Sequence, residues 1–256
     1  PYTHGVDSIP GWFRDGVDPM WSQVPTPYGP VFLGISRAIA QIISDPFVAA
    51  IAFRLVAIAG VALLAYYIPR LAFLNGIDAS KALWLGVMNP LILMNFVASS
   101  HNDSLMIGLI AAGMCLVMEG RFIIGIMTVT AGGMVKPIGL LALPFAGLVW
   151  AGVHSDLPKR LTTWAKTAAI AAVSFAIVSA LVGVNLGWIH ALTTPGTVRT
   201  WLSPSTALGM ASGDLLRWFG LGDHLDLTVG VSRALFELAA IVLIARLIIR
   251  PEGRTA

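Results

Sequence analysis

Long apolar runs separated by short polar turns dominate the chain, and their lengths set the first expectations. The stretches Pro46 to Ile68, Ala82 to Ala98, Leu105 to Met118, Trp164 to Gly183 and Thr228 to Ile249 approach the ~20 apolar residues that a helix needs to cross the hydrocarbon core. We expect five crossings. The alternating ~10-residue segments of a membrane barrel are not seen, so the spans are helical. Phe122 to Trp150 is too long for one ordinary helix and is interrupted by Gly132-Gly133 and Lys136-Pro137, which predicts two short helices meeting at a bend. Backbone exposed at such a bend has to line protein or water. Val31 to Ser44 is apolar but short and contains Arg37, the pattern of a helix that lies at the interface or dips part-way. Ahead of it, residues 1–30 hold six prolines and several tryptophan and tyrosine rings, which predicts an ordered interfacial loop.

Composition agrees with lipid as the solvent. Hydrophobic residues make up 57% of the chain, charged residues 11%, and mean hydropathy is +0.82, whereas soluble domains carry about 25% charged residues. The expected fold class is an all-α polytopic membrane protein, with residues 1–45 as an extracytoplasmic loop with its interfacial helix and residues 46–256 as one transmembrane bundle. The single cysteine, Cys115, excludes a disulfide framework and a Cys/His metal cluster. A net charge of +3 from scattered basic residues argues against nucleic acid as a partner. The opening Pro1-Tyr2-Thr3-His4 has neither Met nor a signal-like segment, so residues are expected upstream.

Loop charges set orientation. If Arg70, Lys81, Arg121, Lys159, Arg160, Lys166, Arg246, Arg250 and Arg254 face the cytoplasm, every span alternates without conflict, provided Phe122 to Trp150 goes out and returns. The loop 1–45, the turn Ser99 to Ser104, the region Asn185 to Leu227 and the Lys136 bend then share the opposite face, where a site can be assembled between helices.

The turn carries His101-Asn102-Asp103 between two apolar spans. Asn and Asp are good helix caps, and capping alone would explain them. A titratable His beside the acid exceeds what a cap requires and suits sugar hydroxyls or proton transfer. Lys136 lies between Gly132-Gly133 and Pro137; it either snorkels from a helix end or, with backbone amides freed by the breakers, holds a phosphate. Arg233 and Glu237 are spaced for an intrahelical pair, while Arg54 lacks a local partner and needs an anion from elsewhere. Tyr28 and Trp201 are interfacial anchors or sugar-stacking rings, and Arg199 beside Trp201 adds an anion contact. No Walker loop, dinucleotide turn, HExxH motif or nucleophile elbow occurs, which argues against a soluble nucleotide cofactor.

Taken together, Asp18-Pro19-Met20-Trp21, Thr26-Pro27-Tyr28-Gly29-Pro30, Asn89-Pro90-Leu91, His101-Asn102-Asp103-Ser104-Leu105-Met106, Val135-Lys136-Pro137 and Ser203-Pro204-Ser205 resemble the actinobacterial polyprenol-phosphate-mannose-dependent α-1,6-mannosyltransferases. The resemblance implies the multi-helix GT-C glycosyltransferase fold in the plasma membrane and an active site on its extracytoplasmic side. It also implies a polyprenyl-phosphate mannose donor, a growing mannan glycolipid acceptor, and a role in lipomannan and lipoarabinomannan assembly. Members are longer at both ends, and the acidic residue that GT-C enzymes place in their first extracytoplasmic loop would precede Pro1, leaving Asp103 as the second candidate base.

A β-linked donor giving an α-linked product requires net inversion, hence one carboxylate as general base and a cation on the departing phosphate. Asp103 and His101 are the catalytic candidates here, with Lys136, Asn102, Tyr28, Arg54, Arg199, Trp201 and Arg233 as substrate-binding candidates. A monoester leaving group does not demand a divalent metal, though it is compatible with one. A transporter or lipid flippase is the alternative, because broken helices with intramembrane charge also build substrate pathways. A non-catalytic subunit of an envelope-assembly complex would leave Lys136 and His101 unexplained.

Overall fold

A computed structural model describes residues 2, 4–10, 19–185, 187–189 and 199–249, which are helical or irregular and contain no β-strand. Asp18, Arg250 and Arg254, named above, lie outside the described residues. Contacts divide the chain into two compact units, Pro1–Leu192 and Thr193–Thr255, and each is taken by itself.

The first unit begins with short 3-10 turns and helix α1 (Pro30–Ile42), followed by α2 (Pro46–Leu74), α3 (Ala79–Gly86), α4 (Pro90–Ile92), α5 (Asp103–Met118), α6 (Phe122–Val135), α7 (Leu143–Ala151) and α8 (Leu157–Val182). Asp45, Asp78 and Asp156 each cap the helix that follows by accepting the backbone N–H three residues on. Helices α2 and α8 are long and apolar enough to cross a membrane. The expected continuous span Ala82 to Ala98 is not one helix. It breaks at Asn89-Pro90 into α3 and Pro90–Ala98, bent by 45°. Pro90 cannot donate an N–H to the preceding turn, and the Asn89 side chain starts the new helix by accepting from Leu91 N at 2.9 Å.

The stretch Phe122 to Trp150 does fold as two helices about a bend, with α6 ending at Val135 and a 3-10 turn over Pro137–Ala142 leading into α7. Trp150 stacks on Phe122 with ring centroids 5.3 Å apart, so the hairpin returns to its starting level.

Small residues set how these helices cross. A Cβ on Gly60 would lie 2.3 Å from Leu105 N, and one on Gly108 2.7 Å from the Gly60 carbonyl, so α2 and α5 meet backbone to backbone. Ser104 fixes the register by donating to the Ala57 carbonyl at 3.0 Å, while at the far end Arg70 of α2 pairs with Glu119 after α5. Helices α2 and α5 therefore run parallel. Gly113 and Gly125 oppose each other across the antiparallel α5–α6 hairpin.

The second unit is a helical hairpin of α9 (Pro204–Trp218) and α10 (Leu225–Ile249), the latter also long and apolar enough to cross a membrane. The region Asn185 to Leu227, assigned to the outward face, contains the fifteen-residue α9. Ser203-Pro204 is its start: the Ser203 hydroxyl accepts from Thr206 N, and proline fills the first helical position. Gly209 lets α9 approach Val229 of α10, and Ser232 donates to the Ser205 carbonyl at 2.7 Å.

Candidate functional site

The hairpin of α5 and α6 places Asp103, the first residue of α5, beside Lys136, the residue that follows α6. Lys136 Nζ donates to both carboxylate oxygens of Asp103, at 2.9 Å and 3.1 Å. Both side chains are part-buried, 31% and 26% exposed. His101 Nδ1 stands 3.9 Å from the same carboxylate and is the most exposed of the three at 58%. A catalytic candidate and a phosphate-binding candidate from different parts of the sequence are thus one ion pair.

The turn that carries Asp103 is built from uncommon backbone. Leu93–Ala98 forms a π-helical turn, a widened geometry that recurs at functional sites. Ser100 then adopts φ 54°, a left-handed conformation that residues with a Cβ rarely hold. His101 N closes the turn on the Phe96 carbonyl at 2.9 Å. Asn102 precedes α5, but its side chain makes no capping hydrogen bond. Its Nδ2 is buried and has no partner in the protein. An unsatisfied buried amide is costly and asks for a ligand or solvent oxygen.

At the bend, Lys136 N donates to the Gly132 carbonyl and Gly139 N to the Lys136 carbonyl, while Pro137 has no N–H. The Lys136 and Gly139 amides are therefore engaged, and what the bend presents is the ammonium. Gly29 N donates to the Val135 carbonyl at 3.1 Å, which brings the Tyr28 segment against the bend. A Cβ on Gly29 would lie 2.3 Å from the Met134 carbonyl, so only glycine permits this approach. The Tyr28 carbonyl in turn accepts from Tyr2 at 2.9 Å, and burial pushes the Tyr2 phenol up to about 12. Arg54 lies one turn before Ala57 and donates to the Ala98 carbonyl at 3.5 Å, at the end of the π-helical turn.

The depth of this cluster is fixed by Ser104. Its partner Ala57 sits about 17 Å from the N-terminal end of α2 at 1.5 Å rise per residue. The ion pair therefore stands alongside the interior of a membrane-length helix rather than at its mouth. Along α6, and bordered by α1 and α8, runs an open apolar groove of about 560 Å³ lined by Val31, Met127, Ala131, Met134, Val173 and Ile177 among others. Its Met134 and Val31 end is two residues from Lys136 and three from Tyr28.

In the second unit, Arg199 pairs with Asp226, and Arg233 Nε donates to the buried Thr206 hydroxyl at 3.1 Å. Trp201 is 58% exposed. The first unit thus gathers Asp103, His101, Asn102, Lys136, Tyr28 and Arg54 around the turn and the bend, while Arg199, Trp201 and Arg233 belong to the other unit. Ser104 and Tyr2 were not foreseen. Among the described residues no group of three or more His, Cys, Asp or Glu is placed to hold a metal ion.

Comparison with known proteins bears on the whole chain. Residues 1–152 match the family described as alpha-(1->6)-mannopyranosyltransferase, N-terminal domain. Alpha-(1->6)-mannopyranosyltransferase A of Mycobacterium tuberculosis is 35% identical over 80% of this chain and 41% of its own length. A probable alpha-(1->6)-mannopyranosyltransferase of Mycolicibacterium smegmatis is 30% identical over 95% and 48%, respectively. Alpha-(1->6)-mannopyranosyltransferase B of Corynebacterium glutamicum is 29% identical over 84% and 39%. The chain spans about half the length of these relatives, and no solved structure matches it.

Proposed function

The chain belongs to the alpha-(1->6)-mannopyranosyltransferase family, and from that premise we propose that it is the part of a membrane mannosyltransferase that holds a lipid-phosphate mannose donor. The observation that carries this reading is the Asp103–Lys136 pair, an acid and a cation set together at the end of α6, whose Met134 borders an open apolar groove. The ammonium suits the donor phosphate, and the open groove that starts at Met134 suits an isoprenoid chain. Asp103 and His101 flank the position where an acceptor sugar would approach.

In the reaction we infer, an acceptor hydroxyl oxygen bonds to mannose C1 from the face opposite the phosphate. The C1–O bond breaks with its electron pair remaining on the polyprenyl phosphate, and the hydroxyl proton passes to Asp103. The product is inverted from β to α. Lys136 stabilises the charge that grows on the phosphate, an effect enlarged where water is excluded. The acceptor is a growing α-1,6-mannan of the lipomannan type, and the site opens on the extracytoplasmic side of a multi-pass plasma-membrane protein.

The test is mannosyl transfer from polyprenyl-phosphate mannose by the full-length protein in membranes, at saturating acceptor and matched protein levels. Lys136→Met should lose about 100-fold or more in turnover over donor KM, the scale of a lost transition-state charge contact. Lys136→Arg should recover only part, since a planar fork does not replace a compact ammonium at a tight bend. Wild-type donor KM and turnover in the Met form would remove Lys136 from the donor site and overturn the reading.

A further inference from the structure

Asp103 occupies two of the three Lys136 Nζ donors, leaving one for a donor phosphate, and a carboxylate paired to the ammonium through both oxygens is a weaker base towards an acceptor hydroxyl. The two roles conflict in the arrangement observed. Simply opening the pair would leave two part-buried charges unpaired at the depth of α2, which is strongly disfavoured. Exchange of one anion for another avoids that penalty, because Lys136 keeps a counter-charge throughout. We propose that the pair is an exchangeable latch: the donor phosphate replaces the Asp103 carboxylate on Lys136 Nζ, and only then is Asp103 free to receive the acceptor hydroxyl.

Three observations favour exchange over a permanent pair. The released carboxylate has His101 Nδ1 beside it, 3.9 Å away in the resting arrangement, so a short swing gives it a new neighbour. The buried Asn102 amide, one residue earlier, has no partner in the resting protein, as expected of a donor whose oxygen arrives with ligand or with rearrangement of the turn. The turn itself, with its π-helical start and left-handed Ser100, is held in a conformation that a regular helix cap would not need. The consequence is an order of events. Donor binds first, the carboxylate is released, and acceptor is engaged second.

The inference rests on the reading of a phosphate-bearing lipid donor, and the experiment separates the two. Binding of farnesyl phosphate and of farnesol, which lacks the phosphate, is measured on the full-length protein in micelles. If the resting latch is closed nine-tenths of the time or more, removing the competing carboxylate in Asp103→Asn should tighten farnesyl phosphate about tenfold while leaving farnesol unchanged. Asp103→Glu, which keeps the competing charge, should stay within about twofold of wild type. Unchanged or weaker farnesyl phosphate binding in Asp103→Asn overturns the latch, because a permanent structural pair or a direct donor contact predicts that result. Equal binding of phosphate and alcohol in all forms overturns the donor reading and the latch with it. The wild type gives a second measurement that does not depend on a variant folding. In initial-rate assays an unreactive 6-deoxy mannoside acceptor should be uncompetitive against donor, as donor-first order requires. Noncompetitive inhibition, the mark of random order, overturns the latch.

Discussion

An ion pair stands near each end of α5, one tying it to α2 and the other to the end of α6, and the two differ in setting. Arg70–Glu119 closes the end where both helices finish, with Arg70 half exposed and Tyr66 within reach of the same guanidinium. Hydrogen bonds from Arg70 and then Cys115 hold the Glu119 carboxyl below the usual carboxylate range. Such a pair near water adds little stability and is easily replaced. Asp103–Lys136 instead lies alongside the interior of α2, its members come from a distorted turn and a broken helix, and an unpartnered amide sits beside it. One pair trims a helix end; the other stands in a setting where charge is costly, which supports the role proposed for it.

The largest expected contrast is in accessibility. With Cys115 buried and any cysteine outside this chain replaced, His154→Cys in the α7–α8 turn should be shielded from an impermeant thiol reagent in intact cells. Gln23→Cys, on the side assigned to the site, should be labelled. The reverse pattern would invert the orientation and place the Asp103–Lys136 end towards the cytoplasm.

Next comes stability in micelles. Asp103→Leu should cost about 3 kcal/mol by stranding Lys136, whereas Asp103→Leu combined with Lys136→Met should recover most of that loss while remaining inactive. Thermal unfolding of the two single forms and the double form gives the coupling. Additive losses would show that the pair is no more special than the one at the opposite end.

The smallest effect is expected from Glu119→Gln. The Glu119 carboxyl is held low in the folded protein, so its contribution is present above the ordinary carboxylate pKa of about 4.3 and fades as pH falls through the folded value. The variant should therefore sit slightly below wild type at neutral pH and converge with it in acid. A gap that widened in acid would contradict the assigned direction.

Much of this was legible in the residues. The breakers at Gly132-Gly133 and Lys136-Pro137 marked the bend, because proline removes an N–H wherever it stands. The meeting of Asp103 and Lys136 was also legible in principle. Both residues lie almost equally far from the Gly120 turn of a helical hairpin, so an antiparallel pair of equal arms must bring them level. That count looks across helices, whereas reading each charge in its own segment made one a candidate base or cap and the other a candidate phosphate ligand or snorkelling lysine, with no link between them. The break at Asn89-Pro90 was missed for the opposite reason. Apolar continuity across Ala82 to Ala98 outweighed a proline whose cost is local. Helix α9 was missed because aromatic and proline residues near its start read as loop, although Ser203-Pro204 is a sound helix opening.

The sequence by itself determined that this is a helical membrane protein, where its polar interruptions fall, and which residue types are available at them. Those properties follow from transfer of side chains to lipid and from backbone chemistry, and both are local. Only the tertiary structure decided that α5 begins alongside the interior of α2, that Tyr28 is drawn against the bend, and that the candidate acid and the candidate phosphate ligand neutralise one another. Sliding one apolar helix along another changes little hydrophobic energy, so the register was left to contacts between distant residues: Gly60 against Leu105, Ser104 on the Ala57 carbonyl and Lys136 on Asp103.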